Sequence, residues 1–426
     1  MIGTARQQAG AHPADRSHLV VDVLTAAAGA AGAGAAFLVG ADGSAAWRVV
    51  RVAAVLVVTA LAMYVIRRGP PVLRAVTTFV LGLAGVAAGA GIAVPHLSKA
   101  GWSPAAVAGL VLLTAGLLLF GYGAVGTVWS SPGWSRLATG PAVLLVTVVG
   151  LFTGSQAVAA TNVPRTGLRS ATPADRGLSY LDARLVTADG VILSGWYLPA
   201  RNRAAVLLAH GAGCTRSDVL EHAVVLARQG YGVLLYDARG HGRSGGRAMD
   251  FGWYGDQDVA AAVAYLRQRP DVDPARIAAL GESMGAEEVI GAAAGQPGIR
   301  AVVAEGATAR TTADWDFLAP VYGARGRIQQ RVDEVTYAAA DLLTDAGPPI
   351  SLRAAAAGIA PRPVLLITAG RVPDETFAAE YLRDGHHHVQ VWQVPGSGHT
   401  GGLSTRPDDW QRRVTAFLDA ALRPQT

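Results

Sequence analysis

The 426-residue chain contains a single cysteine, Cys214, so an internal disulfide is excluded. A folded domain of about 260 residues buries enough apolar surface without one, so the shortage of cysteine does not reveal the compartment. Acidic residues are scarce as well: the first 160 residues contain no glutamate, and nine basic residues against three aspartates give this part a charge of +6. Because the whole chain carries +5, its basic character belongs to the N-terminal part.

The basic residues of this part separate long apolar runs instead of forming one patch, which argues against a nucleic-acid surface. A helix needs about 20 apolar residues to cross the hydrocarbon core of a membrane. Five runs are close to that length: 20–40, 49–66, 72–94, 105–129 and 138–160. We therefore expect residues 1–160 to form an all-α, membrane-embedded domain of about five transmembrane helices, followed by a polar linker over residues 161–177.

The arginines between the apolar runs predict an orientation. One side of a five-span arrangement collects these positive charges: Arg6, Arg16, Arg67, Arg68, Arg74 and Arg136. The positive-inside rule makes that side cytoplasmic. Five spans that begin inside place the C-terminal part outside the cell membrane, and a count of four or six spans would reverse this prediction.

Strand-like and helix-like segments alternate from residue 178 to the C-terminus. Residues 180–187 and 191–198 read as a hairpin joined through Asp189-Gly190, a strong turn signal. The later segments alternate as β-α-β units, which predicts an α/β domain with a mostly parallel sheet and helices on both faces. In such sheets the functional residues lie at the carboxyl ends of the strands.

The pentapeptide Gly281-Glu282-Ser283-Met284-Gly285 is the strongest functional signal in the chain. An apolar run, 277–280, precedes it, and a helix-like run, 286–294, follows it. This G-x-S-x-G pattern between a strand and a helix is typical of a nucleophilic serine on a sharp turn. The two glycines are expected because the tight turn leaves no room for a Cβ atom on either side.

A serine nucleophile needs a histidine to accept its proton and a carboxylate to orient that histidine. His399 lies in the glycine-rich loop 395–402 after the last predicted strand, where such a base would stand. Three carboxylates are candidates for the acid. Asp374 is favoured, since it follows the penultimate strand, and the alternatives are its neighbour Glu375 and Glu305, which ends the strand before.

Four motifs together resemble the α/β-hydrolase superfamily over roughly residues 178–423. They are His210-Gly211-Ala212-Gly213, the turn 237–244 (DARGHGRS), the elbow 281–285 and Gly398-His399. The resemblance implies that the amides of Met284 and Ala212 form the oxyanion hole. The spacing of the acid departs from the family, because Asp374 lies four residues after Gly370 where three is common.

The pattern is most similar to bacterial membrane-anchored serine hydrolases of the esterase and S33-peptidase-like groups. It implies cleavage of a small-molecule or lipid-like ester through an acyl-enzyme, with no cofactor and no metal. A small cap is expected over residues 308–362, within the domain 178–426. Two alternatives stay open: an S33-like peptidase that uses the same triad, and a non-catalytic ligand-binding or sensor domain on a membrane anchor.

Overall fold

The structure is a computed structural model that describes residues 13–39 and 44–424. Arg6 and Asp42 lie outside these residues, as does the side chain of Arg16. The chain divides into two compact units, Met1–Ala159 and Ala160–Thr426, and each is described by itself.

The first unit is helical, as the composition predicts. Its helices are α1 (Pro13–Val39), α2 (Ala45–Arg68), α3 (Pro71–Lys99), α4 (Pro104–Ser130) and α5 (Arg136–Thr161), of which α5 ends inside the second unit. Five segments in the described residues are long and apolar enough to cross a membrane, in agreement with the five predicted runs. Their orientation in the membrane remains a prediction.

Glycines bring α3 and α4 into close contact. A Cβ atom on Gly82 would lie 2.2 Å from the backbone nitrogen of Phe120, and one on Gly89 would lie 2.4 Å from that of Leu113. Small residues that allow two backbones to approach are a common means of packing helices within a membrane.

The second unit contains one eight-stranded sheet in the order β1-β2-β4-β3-β5-β6-β7-β8. The strands are β1 (Leu181–Val186), β2 (Ile192–Leu198), β3 (Ala205–Ala209), β4 (Gly232–Tyr236), β5 (Ile277–Glu282), β6 (Ile299–Glu305), β7 (Val364–Ala369) and β8 (Val389–Val394). β1 pairs antiparallel with β2, and β2 pairs antiparallel with β4. All the remaining pairings are parallel, which confirms the predicted hairpin followed by a parallel sheet.

Helices cover both faces of this sheet: α6 (Leu220–Arg228), α7 (Gly255–Arg267), α8 (Met284–Gly295), α9 (Leu318–Tyr322), α10 (Ala324–Asp341), α11 (Leu352–Ile359), α12 (Pro373–Arg383), α13 (Gly402–Thr405) and α14 (Pro407–Ala421). Two apolar cores result. Leu207 of β3 belongs to the core that includes α7, α8 and α11, and Leu208 belongs to the core that includes α6 and α14. This alternation follows from the two-residue repeat of a strand whose two faces are both buried.

The predicted cap region 308–362 lies between β6 and β7 and contains α9, α10 and α11. Its last helix, α11, contributes Leu352 and Ile359 to the core beneath the sheet. Much of α10, in contrast, is exposed, with Ile328 66% and Val335 49% accessible. The exposed part of this insertion therefore includes α10, whereas Leu318 of α9 is buried in a cluster with Phe317 and Ala378. The cap over Ser283 stays a prediction.

Candidate active site

Ser283 occupies a strained turn between β5 and α8, with φ 53° and ψ −121°. Residues other than glycine rarely adopt a positive φ, and such strain is found where the surrounding structure enforces it. Here the amide of Ser283 donates a hydrogen bond to the carbonyl oxygen of Glu305, at 2.8 Å. The turn thus places the side chain of Ser283 just beyond the carboxyl end of β5.

The glycines on either side of Ser283 are required by the closeness of the backbone. A Cβ atom on Gly281 would lie 2.1 Å from the carbonyl oxygen of Gly285. One on Gly285 would lie 2.4 Å from the carbonyl oxygen of Ala209, at the end of β3. Both distances are well inside van der Waals contact, and they confirm the steric reason inferred from the sequence.

Ser283, His399 and Glu375 form an unbroken chain of hydrogen-bonding groups. The Nε2 atom of His399 lies 2.8 Å from Oγ of Ser283. Its Nδ1 atom lies 2.7 Å from Oε1 of Glu375, whose carboxylate is buried. A serine, an imidazole and a carboxylate in this order have the geometry by which the serine proton passes to the histidine while the carboxylate stabilises the cation that forms.

The preference for Asp374 as the acid is corrected by this geometry. The carboxylate of Asp374 accepts a hydrogen bond from the hydroxyl of Tyr322 and does not contact His399. Both acidic residues lie in the first turn of α12, but successive helix positions face directions about 100° apart. Glu375 shares the buried face of α12 with Ala378, Ala379 and Leu382, at the spacing i+3, i+4 and i+7. That apolar stripe, readable in the sequence, points to Glu375.

Glu305, the third candidate, is also placed away from His399. Its Oε1 atom accepts a hydrogen bond from the amide of Gly402 at 2.6 Å, and its Oε2 atom accepts one from the indole of Trp410 at 3.0 Å. The carboxylate of Glu305 is therefore bonded to the segment after His399 and to α14, and these hydrogen bonds do not involve the imidazole.

The environment of His399 favours its protonated form. The hydrogen bond with Glu375 is the main cause that raises the pKa of His399, partial burial opposes it, and the negative charge of Glu375 adds to it. A base must be neutral to accept a proton, so turnover that depends on His399 should rise as the pH passes above the raised pKa.

The two amides expected to bind an oxyanion stand next to the serine. Met284 is the first residue of α8, so its N–H has no acceptor within the helix. Ala212 follows Gly211, where a Cβ atom would lie only 3.2 Å from Cβ of Ser283. The loop after β3 thus approaches the nucleophile closely, as an oxyanion hole built from these amides requires.

Gly306 is a site residue that the sequence reasoning missed. It has a φ of +74°, and a Cβ atom there would lie 2.9 Å from Cε1 of His399.

We predict that Gly306→Ala displaces the imidazole of His399 and lowers kcat by about ten- to a hundredfold. Steady-state hydrolysis of an activated ester measures the effect. Gly347→Ala is the matched control, because a Cβ atom on Gly347 meets nothing within 4 Å; equal kcat for both variants would contradict the prediction.

The motif 237–244 has a structural role in this site. The Nε2 atom of His210, in the H-G motif, accepts a hydrogen bond from the amide of Ala238 at 3.0 Å. Burial lowers the pKa of His210 to about 4, so this histidine is neutral at physiological pH. Asp237 accepts hydrogen bonds from the amides of Arg216 and Arg243. These contacts hold the loop that contains Ala212 against the segment that follows β4.

Arg239 and Asp258 form a buried ion pair at 2.7 Å, with side chains 5% and 1% exposed. We predict that Arg239→Met lowers the free energy of unfolding by about 3–5 kcal/mol, because Asp258 then keeps a buried, uncompensated charge. Urea unfolding of the full chain in detergent, followed by tryptophan fluorescence, measures this. Arg412→Met, which breaks the exposed pair with Asp409, should change stability by less than about 1 kcal/mol. Similar losses in both variants would contradict the prediction.

The sheet order, the strained turn at Ser283 and the placement of these polar groups at strand ends give the second unit the α/β-hydrolase fold. Residues 200–344 match the family described as serine aminopeptidase, S33. The matched segment contains the H-G loop, the 237–244 turn and the elbow, and it ends before His399 and Glu375.

Curated relatives match part of the chain. The chain is 42% identical over 119 residues to an uncharacterized protein of Mycobacterium tuberculosis, which is 27% of this chain and 42% of that protein. It is 33% identical over 129 residues to the thiohydrolase aneE of Aspergillus aculeatus, which is 29% of this chain and 41% of that protein. The chain thus spans less than half the length of these relatives.

Among solved structures, the Pyrococcus furiosus esterase Pf2001 is 25% identical, with a TM-score of 0.45. The match covers 61% of this chain and 99% of that one.

Proposed function

We propose that this protein is a membrane-anchored serine hydrolase that cleaves an ester bond through an acyl-enzyme. The observation that carries the proposal is the continuous chain from Ser283 Oγ through His399 to the buried carboxylate of Glu375. In the proposed roles Ser283 is the nucleophile, His399 the general base and acid, and Glu375 the residue that orients His399. The amides of Met284 and Ala212 form the oxyanion hole.

The reaction proceeds in two halves. Oγ of Ser283 attacks the carbonyl carbon while Nε2 of His399 takes the hydroxyl proton, and the two amides stabilise the negative oxygen that develops. His399 then gives its proton to the departing alcohol, which leaves an acyl group on Ser283. In the second half His399 takes a proton from water, the resulting hydroxyl attacks the acyl carbonyl, and Ser283 recovers its proton from His399.

Amide cleavage is the second candidate, and the match to the S33 serine aminopeptidase family favours it. The same groups serve both reactions, but an amine leaves less readily than an alcohol and depends more on protonation by His399. The competing substrates are therefore best compared directly, as p-nitrophenyl esters of short and long acyl chains against aminoacyl p-nitroanilides.

The first test is reaction of the purified full chain with a fluorophosphonate probe, followed by kcat/KM for each substrate class. Labelling together with ester turnover at least about a hundredfold above anilide turnover is the result expected for an esterase. A higher kcat/KM for the anilides would replace the esterase assignment with a peptidase. If the chain neither labels nor turns over any of these substrates, the result would support the alternative of a non-catalytic ligand-binding or sensor domain.

The sidedness of the hydrolase unit is tested with the same chemistry. A membrane-impermeant fluorophosphonate should label intact cells as strongly as permeabilised ones if five spans place the unit outside the membrane. Labelling that appears only after permeabilisation would place the unit in the cytoplasm and contradict the predicted orientation.

A further inference from the structure

A second cluster of titratable side chains lies beneath the catalytic loops. It consists of His222 on α6, Glu282 at the end of β5 and Glu305 at the end of β6. One ring nitrogen of His222 and one carboxylate oxygen of each glutamate all lie within 4.8 Å of one another. All three side chains are buried, with exposed fractions of 6%, 8% and 3%.

The two buried carboxylates of this cluster can remain ionised together only if a positive charge lies near them. Two carboxylates that are removed from water repel each other and lose hydration, and each favours its neutral form unless positive charge is near. In the described part of the chain, no arginine or lysine is ion-paired with Glu282 or Glu305. The basic group paired with this cluster is the imidazole of His222, whose Nε2 atom lies 3.0 Å from Oε1 of Glu282, an ion-pair distance without the alignment of a hydrogen bond.

The direction of the shifts agrees with a charged imidazole. Burial by itself lowers the pKa of His222, but the charges of Glu282, Glu305 and Glu221 raise it above its ordinary value. Burial raises the pKa of Glu305, and the charge of His222 opposes that rise. The Trp410 ring packs against His222 in a T-shaped arrangement, with the two ring centroids 5.0 Å apart.

Each glutamate of the cluster is joined directly to a catalytic loop. Glu282 directly precedes Ser283 in the chain, so its position affects the backbone of the strained turn. The carbonyl oxygen of Glu305 accepts a hydrogen bond from the amide of Ser283 at 2.8 Å. The carboxylate of Glu305 accepts one from the amide of Gly402 at 2.6 Å, three residues after His399. A movement of Glu305 would therefore change both partners of the Ser283–His399 hydrogen bond.

We propose that His222 is a positioning residue: as an imidazolium between Glu282 and Glu305, it holds the nucleophile turn and the His399 loop in register. The proposal rests on the serine-hydrolase function proposed above. Neither His222 nor the two glutamates touches the substrate or exchanges a proton with it. Their contribution is to keep Oγ of Ser283 within hydrogen-bonding distance of Nε2 of His399.

A pH dependence follows with a definite sign. A histidine whose pKa is raised in the folded state stabilises the fold below its ordinary pKa and loses that effect as the pH rises through the raised value. When His222 becomes neutral, Glu282 and Glu305 repel each other and the two loops separate. The alkaline limb of the kcat profile therefore belongs to His222, and the acid limb belongs to His399, whose pKa is raised by Glu375 first and also by Glu287 and Glu282.

The test replaces the cation with a neutral side chain of similar size. His222→Gln should lower kcat by about ten- to a hundredfold, because a misplacement of the order of 1 Å has that effect. KM should stay within about threefold, since no substrate contact is removed. The alkaline limb of the kcat profile should also disappear. His388→Gln is the control, because His388 is partly buried and contacts the carbonyl oxygen of Ala356.

A charge-balanced double variant separates positioning by charge from simple packing. Glu282→Gln removes the negative charge that His222→Gln leaves uncompensated, so the double variant should regain kcat relative to His222→Gln alone. A packing defect would not be repaired by this second substitution. Circular dichroism and the midpoint of thermal unfolding identify a variant that has failed to fold; in that case Glu282→Gln alone should still flatten the alkaline limb.

Three results would overturn the proposal. The first is a His222→Gln variant with the wild-type kcat and alkaline limb. The second is a double variant no better than the single one. The third is a stoichiometric divalent cation, found by mass spectrometry in the purified full chain and lost together with kcat on treatment with a chelator, which would make these residues ligands. If the wild type itself neither labels nor turns over, the proposed function fails instead, so the two failures are distinguishable.

Discussion

Replacing Ser283 with alanine should reduce ester turnover by at least about 10⁴-fold, because the nucleophile is lost and only the oxyanion hole and substrate binding remain. Fluorophosphonate labelling should disappear at the same time. Both effects come from the removal of one oxygen atom, Oγ, which lies 2.8 Å from Nε2 of His399. Initial rates with a p-nitrophenyl ester and the labelling of the purified full chain measure them.

The control for this variant is Ser170→Ala, which removes an exposed hydroxyl from the segment that precedes the sheet. It should retain the wild-type rate and labelling. Ser283→Ala should also stay folded, and its backbone strain should persist, since alanine at φ 53° is no better accommodated than serine. Turnover retained by Ser283→Ala, in a preparation free of the wild type, would rule out the acyl-enzyme mechanism.

The parts of the site that the sequence predicted are those encoded within one short segment. Ser283 is recognisable because the strand, the two glycines and the helix that build its turn are all within about ten residues of it. His399 is recognisable for a similar reason, since it lies in a glycine-rich loop after the last strand. The fold class follows from the same kind of signal: a hairpin and then alternating strands and helices.

The carboxylate that contacts His399 is one residue beyond the one that the sequence favours, because the direction of each side chain depends on the phase of a helix. Asp374 and Glu375 are both carboxylates in the first turn of α12, and sequence position alone does not say which one faces the imidazole. The packing of Ala378, Ala379 and Leu382 against the domain decides it. The longer glutamate side chain also spans the distance from the helix to His399.

The supporting residues could not be predicted because they meet only through the sheet. His222, Glu282 and Glu305 come from three elements widely separated in the sequence, and the adjacency of β5 and β6 brings the two glutamates together. Gly306 is likewise one of 52 glycines in the chain, and only the folded structure shows that it faces His399.

The substitution Glu375→Gln should lower kcat by about 10³- to 10⁴-fold, while Asp374→Asn should change it by no more than about twofold. The reason lies in the second oxygen of Glu375. Its Oε2 atom accepts a hydrogen bond from the amide of Ala369 at 2.8 Å, and its Oε1 atom faces Nδ1 of His399 at 2.7 Å. A glutamine must keep its oxygen towards Ala369, so its NH₂ group faces the imidazole.

That arrangement gives His399 the wrong tautomer. An NH₂ group donates to Nδ1, so the ring proton moves to Nε2, which then has no lone pair for the proton of Ser283. The negative charge that stabilises the imidazolium is lost as well. Because the hydrogen bond with Glu375 is the main cause of the raised pKa of His399, the residual activity of Glu375→Gln should appear at lower pH than that of the wild type.

The pair of variants is matched, since the two residues are neighbours on one helix and each substitution replaces one carboxylate oxygen with nitrogen. Profiles of kcat against pH for the wild type and both variants, measured with one p-nitrophenyl ester, give the rate and the shift together. A large loss in Asp374→Asn with normal turnover in Glu375→Gln would contradict the geometry and restore the acid that the sequence favours. Equal, small effects in both would mean that His399 works without a carboxylate partner.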